Sequence, residues 1–79
     1  RLLEFSSLRK RIAVFLSNRL EDSRYILPFP KEKLAEYLSV ARPSLSRELS
    51  EMAAEGILNI EGRTITVRDQ KRFKTILAE

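Results

Sequence analysis

The chain has 79 residues, enough for one small domain whose core is near the lower limit for independent folding. Fifteen Lys plus Arg against eleven Asp plus Glu give a formal charge of +4, which suits a polyanionic partner without requiring one. The absence of both Cys and His excludes a disulfide framework, the usual zinc sites, thiol nucleophiles and histidine general bases.

No apolar run approaches the ~20 residues of a membrane span, and no signal-peptide pattern opens the chain, so the expectation is a soluble cytoplasmic protein with no membrane partner. The first residue is Arg, and Leu2, Leu3 and Phe5 are apolar with nothing before them. This reads as a piece of a longer protein, with residues 1–6 the tail of a preceding helix and residues 7–79 one domain. Ser7 is an N-cap for a helix running to about residue 22, in which Leu8, Ile12, Phe15, Leu16 and Leu20 make a buried stripe. Arg9, Lys10 and Arg11 sit on its first turns, where the helix dipole mildly opposes positive charge. They read first as a solvated basic face, with phosphate or interdomain contact as the alternative. In the connection over residues 23–30, Tyr25 to Phe29 is apolar and β-prone, but Pro28 and Pro30 remove two donors, so at most a short edge strand forms.

Residues 31–56, KEKLAEYLSVARPSLSRELSEMAAEG, read as two short helices broken by a tight turn. In the first, Leu34, Ala35 and Leu38 share a face, and the small Ala35 lets a second helix cross closely. Pro43 pushes Arg42 out of the αR region and favours a first helical turn, so the second helix starts at Arg42 or Pro43. Ser39 takes the turn position where the left-handed conformation favours glycine, at some cost in strain. In the second helix, read as residues 42–55, Leu45, Leu49, Met52 and Ala53 form the apolar stripe. The opposite face carries Pro43, Arg47, Ser50 and Ala54, flanked by Ser44, Ser46 and Glu51.

Gly56 is placed to terminate that helix. Residues 57–60 and 64–67 follow as two strands around the turn signal Glu61-Gly62, with Leu58, Ile60, Ile65 and Val67 toward the core and Arg63 at the tip. Asp69 then caps a short helix that closes the core with Phe73, Ile76 and Leu77. The whole is mainly α with a small β-hairpin wing, a winged helix-turn-helix.

On the exposed face of the second helix, a guanidinium at Arg47 matches the O6 and N7 acceptors of guanine in a fork. The competing reading is a surface ion pair of Arg47 with Glu51 or Glu48. Ser44, Ser46 and Ser50 are poor interior helix formers and, with Ser39, put four hydroxyls around one element, which suggests phosphate contacts. Arg63 is either a plain turn residue or a reader of phosphate or minor groove. The principal alternative is a winged-helix module that docks a protein without binding DNA, but this face offers no aromatic or apolar anchor. An enzyme is disfavoured because Glu48, Glu51 and Glu55 read as a solvated charged edge with no nucleophile, base or glycine-rich cradle nearby. RNA binding lacks an aromatic platform.

The order of scaffold helix, Pro-containing connection, LAEYLSVARPSLSREL, Gly-Ile-Leu and EGRTITV resembles the C-terminal DNA-binding domain of the cyclic-AMP receptor protein and fumarate-nitrate regulator (CRP/FNR) family of bacterial transcription factors. The resemblance covers nearly all of the chain. It implies that Arg47 lies where the family's helix arginine reads a guanine, and that Arg42 and Ser46 lie at positions that touch bases or phosphates in different members. Many members carry a glutamate where this chain has Pro43, which implies a different half-site. It also implies double-stranded DNA as partner, RNA polymerase as a candidate second partner, and a full-length homodimer. Residues 1–6 would then be the end of the dimerisation helix. The resemblance implies no cofactor for these residues, and the effector of the family's N-terminal sensor domain cannot be placed on any of them.

Overall fold

The computed structural model describes residues 7–79, and the helix tail expected at residues 1–6 lies outside the described residues. Seven elements follow in chain order: α1 (Leu8–Ser17), β1 (Arg24–Ile26), α2 (Lys31–Leu38), α3 (Arg42–Ala54), β2 (Leu58–Glu61), β3 (Thr64–Val67) and α4 (Gln70–Ala78). The strands form one antiparallel sheet in the order β1-β3-β2. This is the winged helix-turn-helix that the apolar spacing predicts.

Ser7 caps α1 as expected, its hydroxyl accepting from the Lys10 backbone N–H at 3.0 Å. The helix ends at Ser17, earlier than the expected residue 22. Asp22 and Ser23 have φ of 54° and 65°, and the bridge between Glu21 and Arg24 closes a tight turn around them. Two consecutive left-handed residues are what a two-residue hairpin turn of the I′ kind needs, and Asp tolerates the first well. The turn sends the chain into β1, the short edge strand, which pairs with β3 from Arg24 opposite Thr66 to Ile26 opposite Thr64.

The two ends of the helix-turn-helix close in the same way. After α2, Val40 N–H donates to the Ala35 carbonyl and Ser39 N–H to that of Glu36. After α3, Ile57 N–H donates to Met52 and Gly56 N–H to Ala53. Both are Schellman closures that satisfy the last carbonyls of a helix and demand a left-handed residue. Gly56, at φ 80°, adopts it freely, whereas Ser39, at φ 59° and ψ 46°, adopts it against its Cβ.

Ile12, Ala13 and Leu16 of α1, Leu34 and Ala35 of α2, and Leu45, Leu49 and Met52 of α3 are buried together. Leu58, Ile65 and Val67 cover them from the sheet, and Phe73 and Ile76 from α4. Ala53 and Ile60, both expected in the core, are only partly buried. The hairpin turns on Gly62-Arg63, one residue later than expected, because Glu61 pairs with Thr64 as the last rung. Gly62, at φ 60°, fills the first central position, where a two-residue turn of the II′ kind requires glycine. Asp69 caps α4 through the Arg72 backbone N–H at 3.0 Å.

Candidate nucleic-acid interface

Helix α3 presents three different edges beyond its buried stripe, and three consecutive residues mark them. At ~100° per residue, Ser46, Arg47 and Glu48 point to one side, outward, and to the other side.

Ser46 belongs to the side facing the wing. There Arg42 folds back along the helix and donates from its guanidinium to the Ser46 hydroxyl at 2.8 Å, an i to i+4 contact. Arg42, Ser46 and Ser50 line an open cleft with Ile60 of β2 and Lys31 of α2. Lys31 is a residue that the sequence reading missed. Its ammonium donates to the Gly62 carbonyl at 3.0 Å, tying the wing tip to the first turn of α2. The available signal was a cation at the positive end of a helix dipole, the same signal that singled out Arg9.

Arg47 stands on the outward crest, exposed. Among the described residues its guanidinium takes part in no ion pair or side-chain hydrogen bond, so the pair with Glu48 or Glu51 does not form. Ser44 is exposed near the N-terminus of α3, which begins after Ala41 with no side-chain cap and carries Pro43 in its first turn. Arg63 is exposed at the wing tip, with its carbonyl accepting from Leu27 N–H at 2.8 Å. The structure therefore gathers Arg42, Ser46 and Ser50 in the cleft, with Arg47 and Ser44 on the crest and first turn. Arg63 stands apart on the wing.

Glu48 belongs to the side facing α1, where sequence reasoning expected a solvated acidic edge. Instead the Arg9 guanidinium lies across it, donating from Nε to Glu48 Oε2 at 2.6 Å and in a fork to both carboxylate oxygens of Glu55 at 2.9 and 2.8 Å. Glu51 comes within 4.0 Å of the same guanidinium. Arg72 of α4 reaches Glu55 Oε1 at 2.8 Å and its backbone carbonyl at 2.9 Å. The fork from Arg9, then Arg72, holds the Glu55 carboxyl down at about 2, and the same carboxylates raise Arg9 above its ordinary value. Arg9 is thus neither a solvated cation nor free for a phosphate. Arg11 is engaged as well, donating to the Leu38 carbonyl at 2.6 Å.

The large exposed apolar side chains among the described residues are Val14, Ile26 and Tyr37, none of them on α3. No helix among the described residues is long and apolar enough to cross a membrane.

Residues 10–76 match the family of Crp-like helix-turn-helix domains. Several solved structures share the architecture. FixK2 from Bradyrhizobium japonicum is 28% identical, with a TM-score of 0.78 over 95% of this chain and 40% of its own. A protein from Eubacterium rectale ATCC 33656, described as a candidate transcriptional regulator of the Crp/Fnr family, is 27% identical, with a TM-score of 0.74 over 95% of this chain and 35% of its own. CooA from Carboxydothermus hydrogenoformans, a CO-dependent transcription factor, is 25% identical, with a TM-score of 0.71 over 94% of this chain and 38% of its own. The chain thus spans at most two fifths of the length of these structures. No curated protein matches it. On the match over residues 10–76 and the shared winged architecture, the chain belongs to the Crp-like helix-turn-helix domains of the CRP/FNR family.

Proposed function

We propose that this domain binds double-stranded DNA sequence-specifically for a bacterial transcription regulator, with α3 in the major groove and Arg47 reading a guanine. The observation that carries the proposal is the crest of α3. A guanidinium projects there with no protein partner among the described residues, while the carboxylate of the next residue is engaged by Arg9. A guanidinium fork matches O6 and N7 of guanine, a contact worth ~1 to 3 kcal/mol of discrimination. In this reading Arg42, Ser44, Ser46 and Ser50 contact the backbone or adjacent bases, and the wing carries Arg63 to a phosphate or the minor groove. Pro43 has neither a side-chain acceptor nor a backbone donor and leaves its base unread.

In the whole regulator the domain works as one half of a homodimer, on half-sites ~34 Å apart. That spacing is general to dimeric helix-turn-helix proteins, the cyclic-AMP receptor protein among them. RNA polymerase is the partner expected once such a dimer sits at a promoter. A single copy of the domain binds weakly, since it lacks the second half-site. The protein-docking alternative has no apolar anchor on α3 to support it, because Val14, Ile26 and Tyr37 lie on other elements. Selecting preferred duplexes from random DNA with the regulator tests the proposal. A recurrent guanine-containing half-site is expected, and recovery of no preferred sequence would overturn it.

A further inference from the structure

Taken with its C-cap, α3 carries Arg42 and Arg47 against Glu48, Glu51 and Glu55, so its own residues oppose a polyanion more than they attract one. Glu48 and Glu55 fall on one edge, seven residues and about two turns apart. Their compensation comes from other helices. Arg9 of α1 meets both carboxylates through three charge-assisted hydrogen bonds, and Arg72 of α4 meets Glu55. The Arg9 and Glu48 side chains are only 22% and 21% exposed, and Glu55 is 39% exposed. The guanidinium is therefore wedged between helices and is not presented outward.

We infer that Arg9 is a positioning residue for DNA binding: from the back of α3 it neutralises the acidic edge beside Arg47 and leaves that crest electropositive, without itself touching nucleic acid. The inference rests on the DNA reading above. Removing Arg9 leaves Glu48 unmatched one edge away from the crest, with Glu55 held by Arg72 alone, and the freed carboxylate repels phosphate and offers Arg47 a local partner.

The test measures binding of the intact chain to a duplex selected by the wild type and to a scrambled duplex, over a range of salt. Arg9→Gln should weaken binding to both by about tenfold at low salt, the scale of one uncompensated charge beside a polyanion, and the loss should shrink as salt screens the freed carboxylate. Adding Glu48→Gln should restore most of the affinity but not the melting temperature, because the carboxylate is removed while the brace stays broken. Arg9→Lys keeps the charge without the fork and should bind within about twofold of wild type, which keeps the inference open to refutation even where Arg9→Gln does not fold.

A slope of log K against log salt still shallower than wild type by about one in the Arg9→Gln, Glu48→Gln double variant would make Arg9 a phosphate contact and overturn the inference. So would undiminished binding by Arg9→Gln, a tenfold loss in Arg9→Lys, or the absence of rescue by Glu48→Gln. A wild-type chain that binds neither duplex would overturn the DNA reading itself, and this inference with it.

Discussion

The two flanks of α3 are built from opposite materials. On the wing side, Arg42, Ser46 and Ser50 border an open cleft, and the one side-chain bond among them, at 2.8 Å, is local and easily exchanged for a ligand. On the α1 side, Glu48 and Glu55 are closed down by guanidiniums that arrive from 39 and 46 residues away for Arg9 and 17 residues away for Arg72. One flank keeps its donors available, while the other spends its charges on holding three helices together. In the proposed reading the difference separates recognition from support within a single helix of 13 residues, with Arg47 at the boundary.

Both flanks depend on the buried stripe beneath them, so the largest effect should come from removing it. Leu45 is fully buried, and Leu45→Ala should cost ~2 to 5 kcal/mol by lost transfer energy and residual cavity, a large share of the stability of a small domain. Denaturant unfolding should show a lowered midpoint, and DNA binding should fall with the folded fraction. The comparison sharpens at Arg47. Because its guanidinium has no ion pair or side-chain hydrogen bond among the described residues, Arg47→Ala should leave stability within about 0.5 kcal/mol while losing ~1 to 3 kcal/mol of discrimination between selected and scrambled duplexes. A destabilised Arg47→Ala would place that residue in the supporting network instead.

At the wing, Arg63→Ala should weaken all sequences alike and reduce the salt slope by about one, as loss of a phosphate contact does. An unchanged slope would make Arg63 an ordinary turn residue. The smallest effect belongs to Glu55, on the α1 flank. The Glu55 carboxyl lies at about 2 in the folded chain against an ordinary 4.5, so its contribution is complete above pH 4.5 and is lost as pH falls from there through about 2. Melting temperatures of wild type and Glu55→Gln should therefore converge across that window. Curves that stay parallel would mean that the fork contributes nothing.

Much of this arrangement was legible in the sequence, because the helix-turn-helix and wing are written in local terms. Leucines recur at helical spacing, Pro43 fixes the start of α3, Gly56 fixes its end, and Thr64 to Val67 alternates. Even the strain at Ser39 follows from the shortness of the turn. What was not legible depends on distant partners. The three residues of β1 take their strand geometry from β3, and the left-handed pair Asp22 and Ser23, in the turn between α1 and β1, serves that pairing. Arg9 read as a surface cation because the glutamates that hold it lie about half the chain away. The same holds for Lys31, whose acceptor is the carbonyl of Gly62. Side chains whose meaning lies in a long-range contact leave no periodic trace, and the two arginines told apart here look alike until the helices are packed.

Methylation interference at guanine N7 on the selected duplex tests the central assignment most directly, since N7 lies in the major groove and is one of the two atoms the fork would meet. Wild-type binding should be blocked by methylation of one guanine per half-site, and Arg47→Ala should be indifferent to methylation there. Interference at the same guanine in both proteins, or at no guanine in either, would contradict a base-reading Arg47.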